Sequence, residues 1–300
     1  MSSKRSRKRR IVKRKIRQIL LIVFALLITY IGYGRAKKLF NVLAISNNKK
    51  DLNTNEYAEI EDIPKEVINS NDLTIQNLLK MSKNYPKTNK ILRDLSLYPE
   101  ELLELASQKE EVIDFVADYP NYEPYSNKKI SIKKDYEGGK IPLFIQWDKR
   151  WGYEKYGSNF IAINGCGPTS LAMVIVGLTG NTDINPKVVA DFSEQNGYLV
   201  EGVGTSWTLM TEGAKQFGIN GKELPLSESV ILSTLKKGQP IIASMEPGTF
   251  TTTGHFIVLT DVDNNNKIIV NDSDSRKRSK QTWDIDIFMK QTKNLWTFTS

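Results

Sequence analysis

After Ile141 the sequence gives helix signals first and strand runs afterwards, and this order restricts the fold more than any other feature of the chain. Four helices are expected. They run from Gly167 to Leu178, closed by Gly180; from Pro186 to Gln195, with Asn185 as cap; from Ser206 to Phe217, with Thr205 as cap and Gly218 after it; and from Glu228 to Lys237, with Ser227 as cap and Gly238 after it. Each start offers a side-chain oxygen or a proline to a first turn whose N–H groups have no internal partner, and three of the ends offer a glycine free to turn left-handed. The runs "PIIASME", "HFIVLTDV", "KIIVND" and "LWTFT" then read as strands. Helices followed by antiparallel strands make an α+β domain, with the helices packed on one sheet.

The preceding half reads differently. "NDLTIQNLLKMSKN" and "PEELLELASQKEEVIDFVAD" carry apolar residues at helical spacing, with Pro99 expected in a first turn. "NYEPYSNKKISIKKDYEGGK" reads as a linker ending at Gly138 and Gly139. Upstream lies a polar neck from about Arg35 to Lys50. The organisation is therefore a basic tail over residues 1–17, an apolar segment over 18–34, a neck and helical stalk or pro-region over 35–135, and an α+β domain over 136–300.

Charge separates the tail from the body. Residues 1–17 hold ten Lys or Arg and no acid, so the remainder of the chain has 32 basic against 34 acidic residues, a net of −2. The overall +8 belongs to the tail, and nucleic-acid binding by the body loses its support. "QILLIVFALLITYIGYG" follows the basic block without a charge, long enough for a short transmembrane helix, with Arg17 and Arg35 able to snorkel and Tyr30 and Tyr33 suited to an interface. The positive flank places the tail in the cytoplasm and the body outside, on an uncleaved single-pass anchor at the cell membrane.

Cys166 is the only cysteine, so no internal disulfide is available. In "GCGPTS" it stands just before Pro168, at the start of an apolar helix. Free N–H groups and the positive end of the helix dipole favour a thiolate there, and an adjacent imidazolium would favour it further. Gly165 and Gly167 leave room for approach on either side.

His255, the only histidine, opens "HFIVLTDV". A turn centred on Asp263 and Asn264 would pair that run with "KIIVND" so that His255 and Asp272 fall directly opposite. A carboxylate there fixes the imidazole tautomer and stabilises the imidazolium. A shift of one residue would present Asn271 instead. Gln146, in "IPLFIQWDKRW", supplies an amide upstream of the cysteine that suits a second donor, beside the Cys166 backbone N–H, for a developing oxyanion. One Cys and one His make no zinc site, no phosphate-binding loop motif occurs, and "SDSRKRSK" reads as a solvated basic loop beside the site. No cofactor or metal is expected.

The ordered set "QWDKRW", "GCGPTSLAMV", "GTSW", "KKGQPIIASM", "GHFIVLTDVD" and "IIVND" resembles the papain-like cysteine peptidases related to bacteriocin-processing, double-glycine leader peptidases, over about Lys140 to Ser300. The resemblance implies a papain-like fold with Cys166 as nucleophile, His255 as general base and acid, Asp272 as orienting carboxylate and Gln146 as oxyanion donor. Trp207 in "GTSW" would then fall near the cleft. Relatives commonly carry Pro after the Asp, where this chain has Ser273. The transporter part of the bacteriocin processors has no counterpart here, so their substrate does not carry over. The expected partner is a peptide or protein outside the cytoplasm, with a cell-wall amidase, an acyl transferase or a silent peptide-binding module as alternatives.

Overall fold

The structure, a computed structural model, describes residues 63–123 and 130–300. The expected basic tail and apolar segment, residues 1–34, lie outside the described residues, as does the neck. Among the described residues no helix is long and apolar enough to cross a membrane. Two compact units are defined, residues 1–70 and 71–300. The first contributes one described turn of helix, Lys65–Ile68.

The second unit begins with four short helices, α1 (Leu73–Ser82), α2 (Thr88–Arg93), α3 (Glu100–Gln108) and α4 (Ile113–Asp118). Asp72 caps α1, its carboxylate accepting from the N–H groups of Thr74 and Ile75. Pro99 stands one position earlier than expected, as the N-cap of α3 with an extended backbone. The apolar stripe of "PEELLELASQKEEVIDFVAD" is not one helix: Lys109 is extended, at φ −153° and ψ 131°, and a 3-10 turn over Glu110–Val112 leads into α4. The break still buries Leu102, Leu105, Ile113, Phe115 and Val116, so the apolar periodicity survives it.

The C-terminal part is built on one six-stranded antiparallel sheet: β1 (Asn220–Leu224), β2 (Ile241–Met245), β3 (His255–Val262), β4 (Ile268–Asn271), β5 (Thr282–Trp283) and β6 (Thr292–Thr299), in the order β1-β6-β2-β3-β4-β5. β1 was not anticipated; "NGKEL" carries no apolar alternation because it pairs only with β6, at the sheet edge. The long helix α5 (Cys166–Thr179) is buried at every position from Gly167 to Gly177 and joins Ile242, Phe256, Val258, Trp296 and Phe298 in the main core. The other face is covered by α7 (Glu228–Lys236), which follows α6 (Pro186–Gln195), and by α8 (Ile285–Gln291); Ile231, Leu235 and Phe288 there meet Ile241, Ala243, Ile257 and Leu259. Burial on both faces explains why β2 reads as a continuous apolar run.

Several expected ends are moved by specific contacts. Asn185 caps α6 through Lys187 and Val188, while Ser227 makes no cap bond to α7. The helix expected from Ser206 to Phe217 is split into a 3-10 turn over Trp207–Met210 and a single turn over Glu212–Lys215, with Thr211 between them and Ser206, not Thr205, as the cap. The linker is not free at its C-terminal end, since Ile130 and Ile132 are buried in the main core and Arg150 pairs with Asp135. Helices and strands share one compact unit from Asn71 onward, with Tyr153 donating its hydroxyl to the Phe115 carbonyl of α4 at 2.5 Å and stacking on the Phe115 ring.

Candidate active site

Cys166 is the first residue of α5, reached from the short helix Ile161–Asn164 through Gly165. The first N–H groups of a helix have no partner within it, so they are free to meet negative charge developing near the sulfur. The flanking glycines are required by packing. A Cβ on Gly165 would lie 2.5 Å from the Ile161 carbonyl oxygen, and one on Gly167 2.6 Å from the Thr205 hydroxyl. They let the turn close and the strand Gly204–Thr205 rest against the helix. Ser170, one turn further along α5, donates to the Phe256 carbonyl at 3.2 Å, which fixes the helix that Cys166 begins against the strand that His255 opens.

The hairpin register differs from the expected one. The connection is a longer turn in which the Asp263 N–H donates to the Lys267 carbonyl, with Asn266 left-handed at φ 58°, and the pairing is irregular between Leu259 and Asp261. Val258 therefore pairs with Asn271, two positions away from the register that would set His255 across from Asp272. An even shift keeps the same face, and Asp272 meets His255 diagonally, just past the end of β4. The two are 2.8 Å apart, His255 Nε2 to Asp272 Oδ1, with the carboxylate fully buried. Asn271 turns away, its amide donating to the Ile141 and Pro142 carbonyls at 3.1 Å each.

Asp272 is held by more than the histidine. Oδ1 also accepts from the Asp274 N–H at 2.8 Å, and Oδ2 accepts from Arg278 Nε at 2.5 Å. Burial raises its carboxyl pKa, but the His255 and Arg278 cations and hydrogen bonds outweigh that and hold it below the usual range. Burial likewise favours neutral His255; the Asp272 charge and hydrogen bond win, with a further contribution from nearby Cys166, and push the imidazole well up. The Nε2 bond to Asp272 leaves Nδ1 as the ring nitrogen available to Cys166.

Gln146 is buried beside this group. Its Nε2 donates to the Ala162 carbonyl at 2.9 Å, just ahead of Cys166, and lies a long 3.4 Å from the Ile163 carbonyl, so one of its two hydrogens is weakly held. The Ser273 hydroxyl donates to Gln146 Oε1 at 3.1 Å, and the Gln146 N–H donates to the Ser273 carbonyl at 2.7 Å. The Ser273 side chain and backbone thus orient the amide. Trp207 is partly exposed and packs edge-to-face on Trp296, with centroids 5.6 Å apart. Among the described residues no cluster of His, Cys, Asp and Glu could hold a metal ion.

A half-buried thiol at a helix start, a buried His–Asp pair and an adjacent amide are the parts of a thiol hydrolase, and the family model matching residues 139–300, more than half of the chain, is that of the Peptidase_C39 like family. The chain belongs to that family. The C39-like domain is cysteine peptidase-like, without any transporter part in the match. No curated protein matches the chain.

Sequence reading missed Arg278, which it placed in a solvated basic loop. Arg278 is part of that loop but turns inward, and Ser275 caps the short helix Arg276–Ser279 that aims it. Nothing in the run "RKRSK" distinguishes the inward arginine from its neighbours.

Proposed function

We propose that this protein is a membrane-anchored, extracytoplasmic cysteine peptidase working through Cys166, His255 and Asp272. The observation that carries the reading is the 2.8 Å bond between the chain's only histidine and a fully buried carboxylate, on a strand bonded to the helix that begins with its only cysteine.

The thiolate of Cys166 attacks a peptide carbonyl, forming a C–S bond and a tetrahedral oxyanion. The Cys166 N–H and the loosely held Gln146 hydrogen stabilise that charge. As the intermediate collapses, the imidazolium gives its Nδ1 proton to the leaving amine and the C–N bond breaks. Water then attacks the thioester, His255 takes its proton, and the carboxylic acid leaves as the sulfur is restored. Asp272 keeps a proton on Nε2 throughout, so that Nδ1 is the nitrogen that gives and takes the other.

The anchor is supported by the uncharged run over residues 18–34 behind ten positive charges, which also favours a body outside the cytoplasm. Treatment with a peptidyl electrophile, read by intact mass, tests the chemistry. One adduct on the wild type and none on Cys166→Ala is expected, along with cleavage of a peptide library that the variant lacks. A wild type that gains no adduct would be a silent peptide-binding module.

A further inference from the structure

The loop that carries the orienting carboxylate is held from outside the C39-like domain. Two of the donors to Asp272, the Asp274 N–H and Arg278 Nε, belong to residues 273–279, so the carboxylate is aimed by the conformation of its own loop. On one side that loop is bonded to Gln146 and to Trp147, whose indole N–H donates to the Asp274 carbonyl at 3.1 Å. On the other it meets the break between α3 and α4. Lys109 pairs with the Asp274 carboxylate, Glu110 pairs with Lys277, and Glu111 accepts both the Ser275 hydroxyl and, at 3.1 Å, the Lys277 N–H. The sequence Lys-Glu-Glu thus faces Asp-Ser-Arg-Lys with opposed charges, across a separation of about 165 residues.

The extended backbone at Lys109 makes this possible, because a continuous helix would spread these three side chains around its circumference. The Lys109 and Asp274 side chains are only 26% and 18% exposed, and the Glu111 contacts include a backbone donor, so this is more than a rim of loose surface charge. The Lys87–Asp114 pair on the same segment is by contrast about two-thirds exposed on both sides.

We propose that the α3–α4 break is a positioning arm for the active site, in which Glu111 and Lys109 hold the 272–279 loop so that Asp272 stays aimed at His255. The inference rests on the peptidase reading and gives the helical segment a role in it. Glu111 touches no reacting atom and acts through Ser275, the Lys277 N–H and then Arg278.

The test uses the full-length chain in detergent, with Glu111→Ala, the milder Glu111→Gln, and Asp114→Ala as a control in the same segment. Because the chain has one histidine, its imidazole nitrogens can be followed alone by NMR during a pH titration. Cys166 and Asp272 act directly on that ring, with Arg278, Asp274 and Glu111 behind Asp272. Glu111→Ala is expected to move the His255 titration toward its ordinary value of about 6.5. It should slow the bond-forming step with a peptidyl electrophile roughly tenfold, with reversible binding changed less than about twofold. Glu111→Gln keeps one acceptor and should fall between, while Asp114→Ala matches the wild type. A His255 titration unchanged in both Glu111 variants overturns the proposal, whether or not the protein cleaves peptides. A wild-type Cys166 that takes no adduct instead removes the peptidase reading.

Discussion

Arg278 and His255 bind opposite oxygens of one buried carboxylate: Arg278 Nε reaches Asp272 Oδ2 at 2.5 Å while His255 Nε2 reaches Oδ1 at 2.8 Å. The charge of Asp272 is therefore shared between an arginine that never titrates and a histidine that must. Replacing the arginine removes one of the cations that hold the carboxyl pKa down. Arg278→Gln should lose about 1.5–3 kcal/mol of stability in urea unfolding at neutral pH, the range for hydrogen bonds to charged groups. It should also lose activity on acidification at a higher pH than the wild type, since the carboxyl then protonates sooner. A wild-type acid limb in this variant would mean that the arginine is structural only.

Stability should depend on pH in a window set by two opposite shifts. Asp272 is depressed on folding, so its contribution is complete above its unfolded value near 3.9 and is lost as pH falls through the folded one. His255 is raised, so its contribution is complete below about 6.5 and is lost as pH rises through the folded value. Both are present in full between roughly pH 4 and 6.5. The stability advantage of wild type over His255→Gln should accordingly be largest near pH 5 and shrink steadily at alkaline pH. Equal differences at about pH 5 and 9 would contradict the assigned pair.

The two glycines beside Cys166 should respond differently to alanine. On Gly167 the three atoms nearest the new methyl, Thr205 Cβ at 2.7 Å among them, all belong to the Thr205 side chain, so the cost should be about 1–3 kcal/mol and should be relieved by adding Thr205→Gly but not by Thr205→Ala. On Gly165 it meets the Ile161 carbonyl oxygen at 2.5 Å, which no side-chain change removes. Thermal unfolding of Gly165→Ala, with and without Thr205→Gly, should show the same loss.

Topology can be read with the single thiol. A membrane-impermeant maleimide added to intact cells should label Cys166 in the wild type and nothing in Cys166→Ala. Labelling that appears only after lysis would place the domain on the cytoplasmic side and defeat the extracytoplasmic assignment.

The sequence signals that proved readable were those with a local cause. Asn185 before Pro186 specifies the start of α6, and the strand carrying Ile241 to Met245 is apolar on both faces because both faces are covered. Cys166 at a helix start was legible for the same reason. Features set by distant partners were not. The break at Lys109 serves Asp274 and nothing nearby in sequence, and the two-residue register shift comes from a longer turn and a bulge that the run "DVDNNNK" does not announce. Asp272 was reached through a register that the structure does not have, and its position survived because the shift is even. Arg278 was hidden among three basic neighbours, distinguished only by a cap at Ser275.

The bond between Glu111 and Ser275 spans 164 residues, which bears on the order in which the chain acquires its chemistry. A protein emerging from its N-terminus makes the arm early and the loop it holds near the end, and contacts this distant form late and slowly. Cys166 is therefore synthesised, and can be buried in its helix, well before the groups that aim the histidine are in place. The growing chain thus carries its thiol, already seated at a helix start, for more than a hundred residues before Asp272 and Arg278 are made.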